Sequence, residues 1–180
     1  MISKAASLRV LGIDPGTLKM GYGLLQGESQ AIEYGVLTAS GHWPLGRRLW
    51  RLHQQLVVLL TRLEPAEIAV EEPFLALNAR TAFALGQAQA VALMAAAARD
   101  LPVFRYPPTQ VKLSVTGYGA GGKAQVQEMV RLQLSLRDSS PSPDAFDALA
   151  VALCHFRQRE VATLARQATT HEVGSQGRRP

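Results

Sequence analysis

The segment that most constrains the fold runs from Val10 to Thr17 and reads VLGIDPGT. Its short apolar run is typical of a buried central strand. Pro15 fixes φ and Gly16 permits positive φ, so the chain turns sharply directly after Asp14. We therefore expect Asp14 at the carboxyl end of a strand, which is where open α/β sheets bind their ligands. The alternative is that Asp14 only caps the turn, and this segment alone leaves both interpretations open.

The remaining pattern predicts an α/β domain with a mixed five-stranded sheet flanked by helices. Three strands with short connections indicate an antiparallel meander. A leucine-rich helix, a short strand, an apolar helix and a fifth strand follow, and three further helices complete the order. The predicted elements are Arg9–Asp14, Gly21–Leu25, Ala31–Thr38, a helix from Pro44 to about residue 64, Ile68–Val70, Asn78–Ala98, Leu101–Tyr106, Thr109–Val115, Lys123–Leu136, and a helix from Ser142 to about Arg159.

Length and composition predict one globular domain, residues 1–160, followed by a flexible tail at residues 161–180. No apolar run is long enough to span a bilayer, and the first seven residues lack the apolar core of a signal peptide. The single cysteine, Cys154, fits a reducing compartment, so we expect a cytoplasmic protein. The net charge of +5 is compatible with a polyanionic partner without requiring one.

The helix predicted at Asn78–Ala98 is apolar nearly all round. Between Ala82 and Ala98 its only hydrogen-bonding side chains are Gln87 and Gln89. Such a helix must be buried on more than one side. A subunit interface and simple core burial both satisfy this requirement.

Four acidic positions are candidates for one active site. Asp14 ends the first strand, Glu71 ends the fourth with Glu72 directly after it, and Asp144 and Asp147 share one face of the last helix. Clustered carboxylates favour hard divalent cations, and two such cations suit phosphodiester hydrolysis. The alternatives are a helix-dipole role for Asp144 and a solvated strand end at Glu71 or Glu72. Strand alternation leaves open which of these two glutamates points into the site.

Several motifs in the same chain order resemble the RuvC family of Holliday-junction resolvases. The blocks span about residues 9 to 157, and each is weak alone but specific in combination. They are Leu11-Gly12-Ile13-Asp14-Pro15-Gly16, Gly21-Tyr22-Gly23, Val70-Glu71-Glu72-Pro73-Phe74, Asn78-Ala79, Leu85-Gly86-Gln87-Ala88, Gln110-Val111-Lys112, Lys123-Ala124-Gln125-Val126 and Asp144-Ala145-Phe146-Asp147-Ala148-Leu149-Ala150.

The resemblance implies a ribonuclease-H-like fold and a set of functional residues. The metal-binding catalytic acids it implies are Asp14, Glu71, Asp144 and Asp147. By the same resemblance Lys112 and Lys123 lie at the DNA, and Lys123 also serves catalysis. Phe74 matches an aromatic residue at the junction centre, where it would stack on an unpaired base, although a buried core position is the alternative.

The resemblance also implies the reaction and the partners. Family members are homodimers that make paired, symmetric nicks in a four-way DNA junction and leave 5′-phosphate and 3′-hydroxyl ends. The implied cofactor is Mg²⁺, two ions per subunit, with Mn²⁺ as a substitute. The implied partner is the RuvA–RuvB branch-migration complex, and the helix at Asn78–Ala98 would pack across the dimer. No membrane association is expected.

Three other functions compete with this interpretation. The motif Gly-Ile-Asp-x-Gly-Thr also opens actin-like ATP-binding proteins, but no second phosphate loop follows here and 180 residues are short for two lobes. An inactive binder of branched DNA is disfavoured because all four acids are present. A related resolvase or RNA-processing nuclease of the same fold is disfavoured by the lysine and Phe74 blocks.

Overall fold

The computed structural model describes residues 7–73, 79–118, 122–136 and 141–176. Five strands form one mixed sheet in the order β3-β2-β1-β4-β5. The strands are β1 Arg9–Asp14, β2 Lys19–Gln26, β3 Gln30–Thr38, β4 Glu67–Glu71 and β5 Val103–Tyr106. The helices are α1 Leu45–Leu63, α2 Ala79–Ala97, α3 Pro108–Thr116, α4 Lys123–Gln133 and α5 Pro143–Gln176. The predicted element order and the mixed five-stranded sheet are confirmed.

The sheet register brings several strand ends to one rim. β1 pairs antiparallel with β2, and β2 pairs antiparallel with β3, which confirms the meander. β1 pairs in parallel with β4, with Ile13 opposite Val70. The carboxyl ends of β1 and β4 therefore meet at the rim where β2 begins and β3 ends. We call this edge the carboxylate rim.

Helices cover both faces of the sheet. On one face α1 and α2 pack against side chains such as Leu11 and Ile13. The leucine stripe of α1 points into this layer, as its spacing predicts, and its buried members are Leu52, Leu56, Leu59, Leu60 and Leu63. On the other face α3, α4 and α5 enclose a second core that includes Val10 and Ala69. The alternation of β1 residues between these two cores is that of a central strand.

The last helix starts where the sequence predicts but ends later. The last helix begins with Pro143, and the Ser142 hydroxyl accepts a hydrogen bond from the Ala145 amide at 3.3 Å, which confirms the predicted N-cap. This helix does not end near Arg159 but continues to Gln176. No proline interrupts residues 144–176, and helix covers most of the segment for which the sequence predicts a flexible tail. The flexibility of that segment remains a prediction.

The apolar helix α2 is only half covered within one chain. Its buried side contacts the α1 layer and the sheet through residues such as Ala92 and Ala95. On the other side Phe83 is 71% exposed and Met94 is 64% exposed. Core burial within one chain therefore does not account for the whole helix. None of the described helices has the length and apolar character needed to cross a membrane.

Candidate active site

The parallel pairing of β1 and β4 places Asp14 beside Glu71. The two side chains lie close enough for each to act on the ionisation of the other. The next residue, Glu72, points away and lies 3.8 Å from the Arg105 guanidinium. Successive strand residues face opposite sides, so only one of the two glutamates can face Asp14. In the structure that residue is Glu71.

Helix α5 brings the other two acids to the same rim because glycines let it approach the sheet closely. A Cβ atom at Gly12 would lie 2.0 Å from the Ala148 carbonyl oxygen, and one at Gly21 would lie 2.0 Å from the Asp144 carbonyl oxygen. Any larger side chain at either position would push the helix away from β1 and β2. Asp144 and Asp147 are consequently close enough to Asp14 to act on its ionisation.

Burial and mutual repulsion make the carboxyl groups of Asp14, Glu71 and Asp147 hard to ionise. Burial raises the pKa of Asp14 to about 6, with further contributions from Asp147 and Asp144. Burial, followed by the charges of Asp14 and Asp147, raises the pKa of Glu71 to about 8. Burial also raises the pKa of Asp147, although Lys123 opposes the shift. The rim therefore carries more negative charge than its protein surroundings stabilise.

Two lysines face the acids. The Lys123 ammonium, at the first residue of α4, lies 2.6 Å from Asp147 Oδ2. Lys112 is exposed on α3, and with Glu71, Lys123 and Asp147 it lines a cavity of about 160 Å³. Glu71 also lines a neighbouring cavity of about 120 Å³ together with Asp14. The structure thus brings together six of the seven predicted site residues; the seventh, Phe74, lies outside the described residues.

The donor set at the rim suits hard divalent cations. Four carboxylates face two lysines, so the group retains an uncompensated charge of about −2 when fully ionised, and oxygen is the ligand atom that Mg²⁺ prefers. Within the described ranges, no three His, Cys, Asp or Glu side chains are already gathered into a complete metal-binding group. Lys123 occupies one oxygen of Asp147.

Sequence reasoning did not assign a role to two features of this site. Gly12 and Gly21 are needed for the approach of α5; the signal was the recurrence of glycine at positions facing one side of β1 and β2. Gln89 is the other feature: this buried residue of α2 donates a hydrogen bond of 3.2 Å to the Glu71 carbonyl oxygen. No local pattern distinguishes such a side chain from an ordinary helix residue.

The sheet order β3-β2-β1-β4-β5, with helices on both faces, is that of a ribonuclease-H-like fold, and four carboxylates lie at one rim of this sheet. A family model described as "Crossover junction endodeoxyribonuclease RuvC" matches residues 10–155. The chain therefore belongs to the RuvC family of crossover junction endodeoxyribonucleases, the nucleases that resolve Holliday junctions. Membership of this family excludes the actin-like ATP-binding class.

Individual relatives agree with this assignment. Crossover junction endodeoxyribonuclease RuvC of Magnetococcus marinus is 45% identical over 162 residues, which are 88% of this chain and 89% of the relative. A structure of T. thermophilus RuvC in complex with Holliday junction substrate has a TM-score of 0.78 and 34% identity, covering 85% of this chain and 96% of the other. The yeast mitochondrial Holliday junction resolvase Ydc2, at 15% identity and a TM-score of 0.64 over 94% of this chain and 89% of the other, shares the fold.

Proposed function

We propose that this protein is a divalent-metal-dependent endonuclease that resolves Holliday junctions by paired, symmetric nicks with 5′-phosphate and 3′-hydroxyl ends. The observation that carries the proposal is the group of four carboxylates at the rim of a RuvC-family sheet, three of which have raised pKa values. The T. thermophilus relative bound to Holliday junction substrate supports the choice of substrate. The process served is DNA recombination and repair.

In this proposal Asp14, Glu71, Asp144 and Asp147 hold the metal, which we expect to be two Mg²⁺ ions per subunit, with Mn²⁺ able to replace them. Bound metal would lower the pKa of an attacking water and offset the charge that develops on the scissile phosphate. The four carboxylates would hold it at the rim, and the raised pKa values of Asp14, Glu71 and Asp147 would fall once cations neutralise the repulsion. Gln89 would hold the Glu71 backbone in place from α2.

The lysines and Phe74 would act on the DNA. Lys123 is 61% exposed, so its ammonium can reach a phosphate at the rim without leaving the vicinity of Asp147. Lys112 on α3 would contact a neighbouring phosphate from the same cavity. For Phe74 the proposal rests on the family resemblance alone, with stacking on an unpaired base at the junction centre as its expected role.

The proposed assembly is a homodimer. The exposed Phe83 and Met94 on α2 support it, because an apolar helix face of this kind is stabilised by a second subunit. A two-fold axis would give two active sites and hence two symmetric nicks. The RuvA–RuvB branch-migration complex is the expected partner by family resemblance, and the buried Cys154 fits the cytoplasm as the place of action.

The experiment that tests the proposal compares a synthetic four-way junction with a linear duplex of the same sequence, each with and without Mg²⁺ or Mn²⁺. We expect ligatable, symmetric nicks in the junction only, and only with metal. Tight junction binding without cleavage across several sequences would support an inactive binder instead. Cleavage of the junction and the duplex to the same extent, or of neither, would overturn the proposal.

The Asp14→Asn variant tests the site itself. We expect it to lose cleavage while it retains junction binding, because the amide is a weaker metal ligand and leaves the lysines unchanged. Binding is measured by fluorescence anisotropy with labelled junction. Cleavage by Asp14→Asn at the wild-type rate would remove Asp14 from the metal site.

A further inference from the structure

The first half of α1, with Trp43 just before it, carries a surface of arginine and tryptophan that the active site does not use. We define the α1 patch as Trp43, Arg47, Arg48, Trp50 and Arg51. Residues 34–63 contain no Asp or Glu, and both tryptophans of the chain lie in the patch. Arg47 and Arg51 are one helical turn apart, so the patch is continuous on the helix surface.

The cations of the patch are not neutralised by the protein. Among the residues that the structure describes, none of the three arginines takes part in an ion pair. The next arginine of the same helix, Arg62, is different because it pairs with Glu33 at 2.5 Å. Three neighbouring positive charges without an anion raise the local potential, which attracts a polyanion.

The tryptophans give the patch flat apolar surface beside these charges. The Arg47 guanidinium lies 4.5 Å from the centre of the Trp43 ring. Trp50 is 60% exposed and stacks on His53, with ring centroids 5.7 Å apart. An arginine held over an aromatic ring is oriented in advance and loses less conformational entropy when it binds a phosphate.

The topology places the start of α1 beside the carboxylate rim. Lys19 pairs with Thr38, so β3 ends next to the turn that follows Asp14. The Ala39 amide then donates a hydrogen bond of 2.9 Å to the Leu18 carbonyl oxygen. Arg51 is only six residues into α1, about 9 Å along the helix axis from its first residue. The patch therefore flanks the rim, on the sheet face opposite to α5.

We propose that the α1 patch binds the phosphate backbone of a duplex arm of the junction. This inference rests on the proposed function, because a phosphodiester held at the rim belongs to a duplex that continues past it. The patch supplies what such an arm requires, which is a row of unneutralised arginines outside the catalytic group. It would strengthen binding without taking part in hydrolysis.

The test compares the double variant Arg47→Gln/Arg51→Gln with Arg62→Gln, a control that removes the same kind of charge from the far end of the same helix. Junction affinity is measured by anisotropy over a series of salt concentrations, without divalent metal so that the junction stays intact. We expect the double variant to lose about tenfold or more in affinity near 0.1 M salt, and its plot of log K against log salt to be shallower by about 2. Arg62→Gln should bind like the wild type.

Two further measurements separate this role from others. The cleavage rate constant at saturating enzyme should be unchanged in the double variant, and Arg47→Lys/Arg51→Lys should recover most of the salt dependence. Intrinsic tryptophan fluorescence should change when the wild type binds junction, since both tryptophans lie in the patch. Circular dichroism checks that each variant is folded.

The two proposals fail in distinguishable ways. Wild-type protein that neither prefers nor cleaves the junction would contradict the proposed function before any variant is compared. Wild-type protein that cleaves the junction, together with a double variant of unchanged affinity and salt slope, would overturn the α1 patch alone. An equal loss in Arg62→Gln would overturn it as well, because the effect would then be one of total charge. Unchanged tryptophan fluorescence at saturation would also count against the patch.

Discussion

The two ends of β4 carry glutamates with opposite surroundings. Glu67 and Glu71 are four residues apart and face the same side of the sheet. Glu67 lies 2.5 Å from His155 Nε2 and also pairs with Arg159. The other ring nitrogen of His155 lies 2.7 Å from the Tyr106 hydroxyl. At this end Glu67, His155 and Tyr106 each have a partner of complementary character.

At the other end Glu71 faces Asp14 and Asp147, and burial with these neighbours raises its pKa to about 8. Only the charge of Lys112 opposes the shift. The comparison teaches that burial of a carboxylate does not by itself indicate function. What distinguishes Glu71 from Glu67 is the surplus of negative charge around it, which calls for a cation from outside the protein.

The largest expected effect is on cleavage in Glu71→Gln. The amide removes one carboxylate from the proposed metal site, so we expect cleavage to fall about a thousandfold or more. Stability should not fall, because the amide has nearly the same size as the carboxyl group and cannot carry a charge that would repel Asp14 and Asp147. Single-turnover assays with Mg²⁺ measure the rate. A variant that keeps a tenth of the wild-type rate would place Glu71 outside the metal site.

The matched change at the other end of the strand is Glu67→Gln. It leaves His155 and Arg159 without their carboxylate, so we expect the free energy of unfolding to fall by about 2 kcal/mol. The cleavage rate per folded molecule should remain that of the wild type. Urea denaturation measures the first and the junction assay the second. If Glu67→Gln lost activity but not stability, the contrast between the two ends would be wrong.

Stability without metal should depend on pH in a defined direction. The native pKa values of Asp14 and Glu71, about 6 and about 8, lie above the ordinary values of 3.8 and 4.5. Between the ordinary and the native pKa values, the native state holds protons that the unfolded state has released. The free energy of unfolding therefore falls as pH rises through this window, from about pH 4 to about pH 8. We expect a fall of several kcal/mol in total, because each unit of pKa shift corresponds to about 1.4 kcal/mol.

Urea titrations across that window, without metal, measure the fall. Glu71→Gln should remove most of the pH dependence of the free energy of unfolding, whereas Glu67→Gln should leave this pH dependence unchanged. Addition of Mg²⁺ at the high end of the window should restore stability, because bound cations offset the repulsion. A wild-type stability that is constant or rises across the window would contradict the surplus of negative charge at the rim.

The smallest effect is expected in Lys123→Ala. The variant loses the ion pair with Asp147. The Lys123 side chain of this pair is 61% exposed, so stability should change by less than about 1 kcal/mol. Cleavage should slow by about tenfold, because a cation near the scissile phosphate is removed. Lys123→Arg should recover part of the rate. Unchanged cleavage in Lys123→Ala would leave Lys123 with a structural pairing role only.

Local patterns in the sequence were sufficient to predict the strands and helices and to find most of the candidate site residues. The strand that ends at Asp14 begins and ends where its apolar run and the Pro15-Gly16 turn predict. The N-cap at Ser142 was also correct, since capping depends on a few adjacent residues. The family resemblance selected the four acids, and the structure places all four at one rim. Their catalytic roles remain predictions that the variants above test.

Other features depended on contacts between distant parts of the chain. Alternation along β4 could not choose between Glu71 and Glu72, because the choice depends on the register of β4 against β1. The exposed face of α2 and the continuation of α5 to Gln176 were not evident from local periodicity either.

The sequence by itself determined which segments become strands and helices and that one strand ends on Asp14, because φ restrictions, capping and apolar periodicity act over a few residues. Only the tertiary structure decided that Gly12 and Gly21 allow α5 to approach the sheet closely. It also decided that Asp14 and Glu71 lie close enough for each to shift the pKa of the other. Close approach and electrostatic repulsion depend on distances between residues far apart in the chain, and folding alone sets those distances.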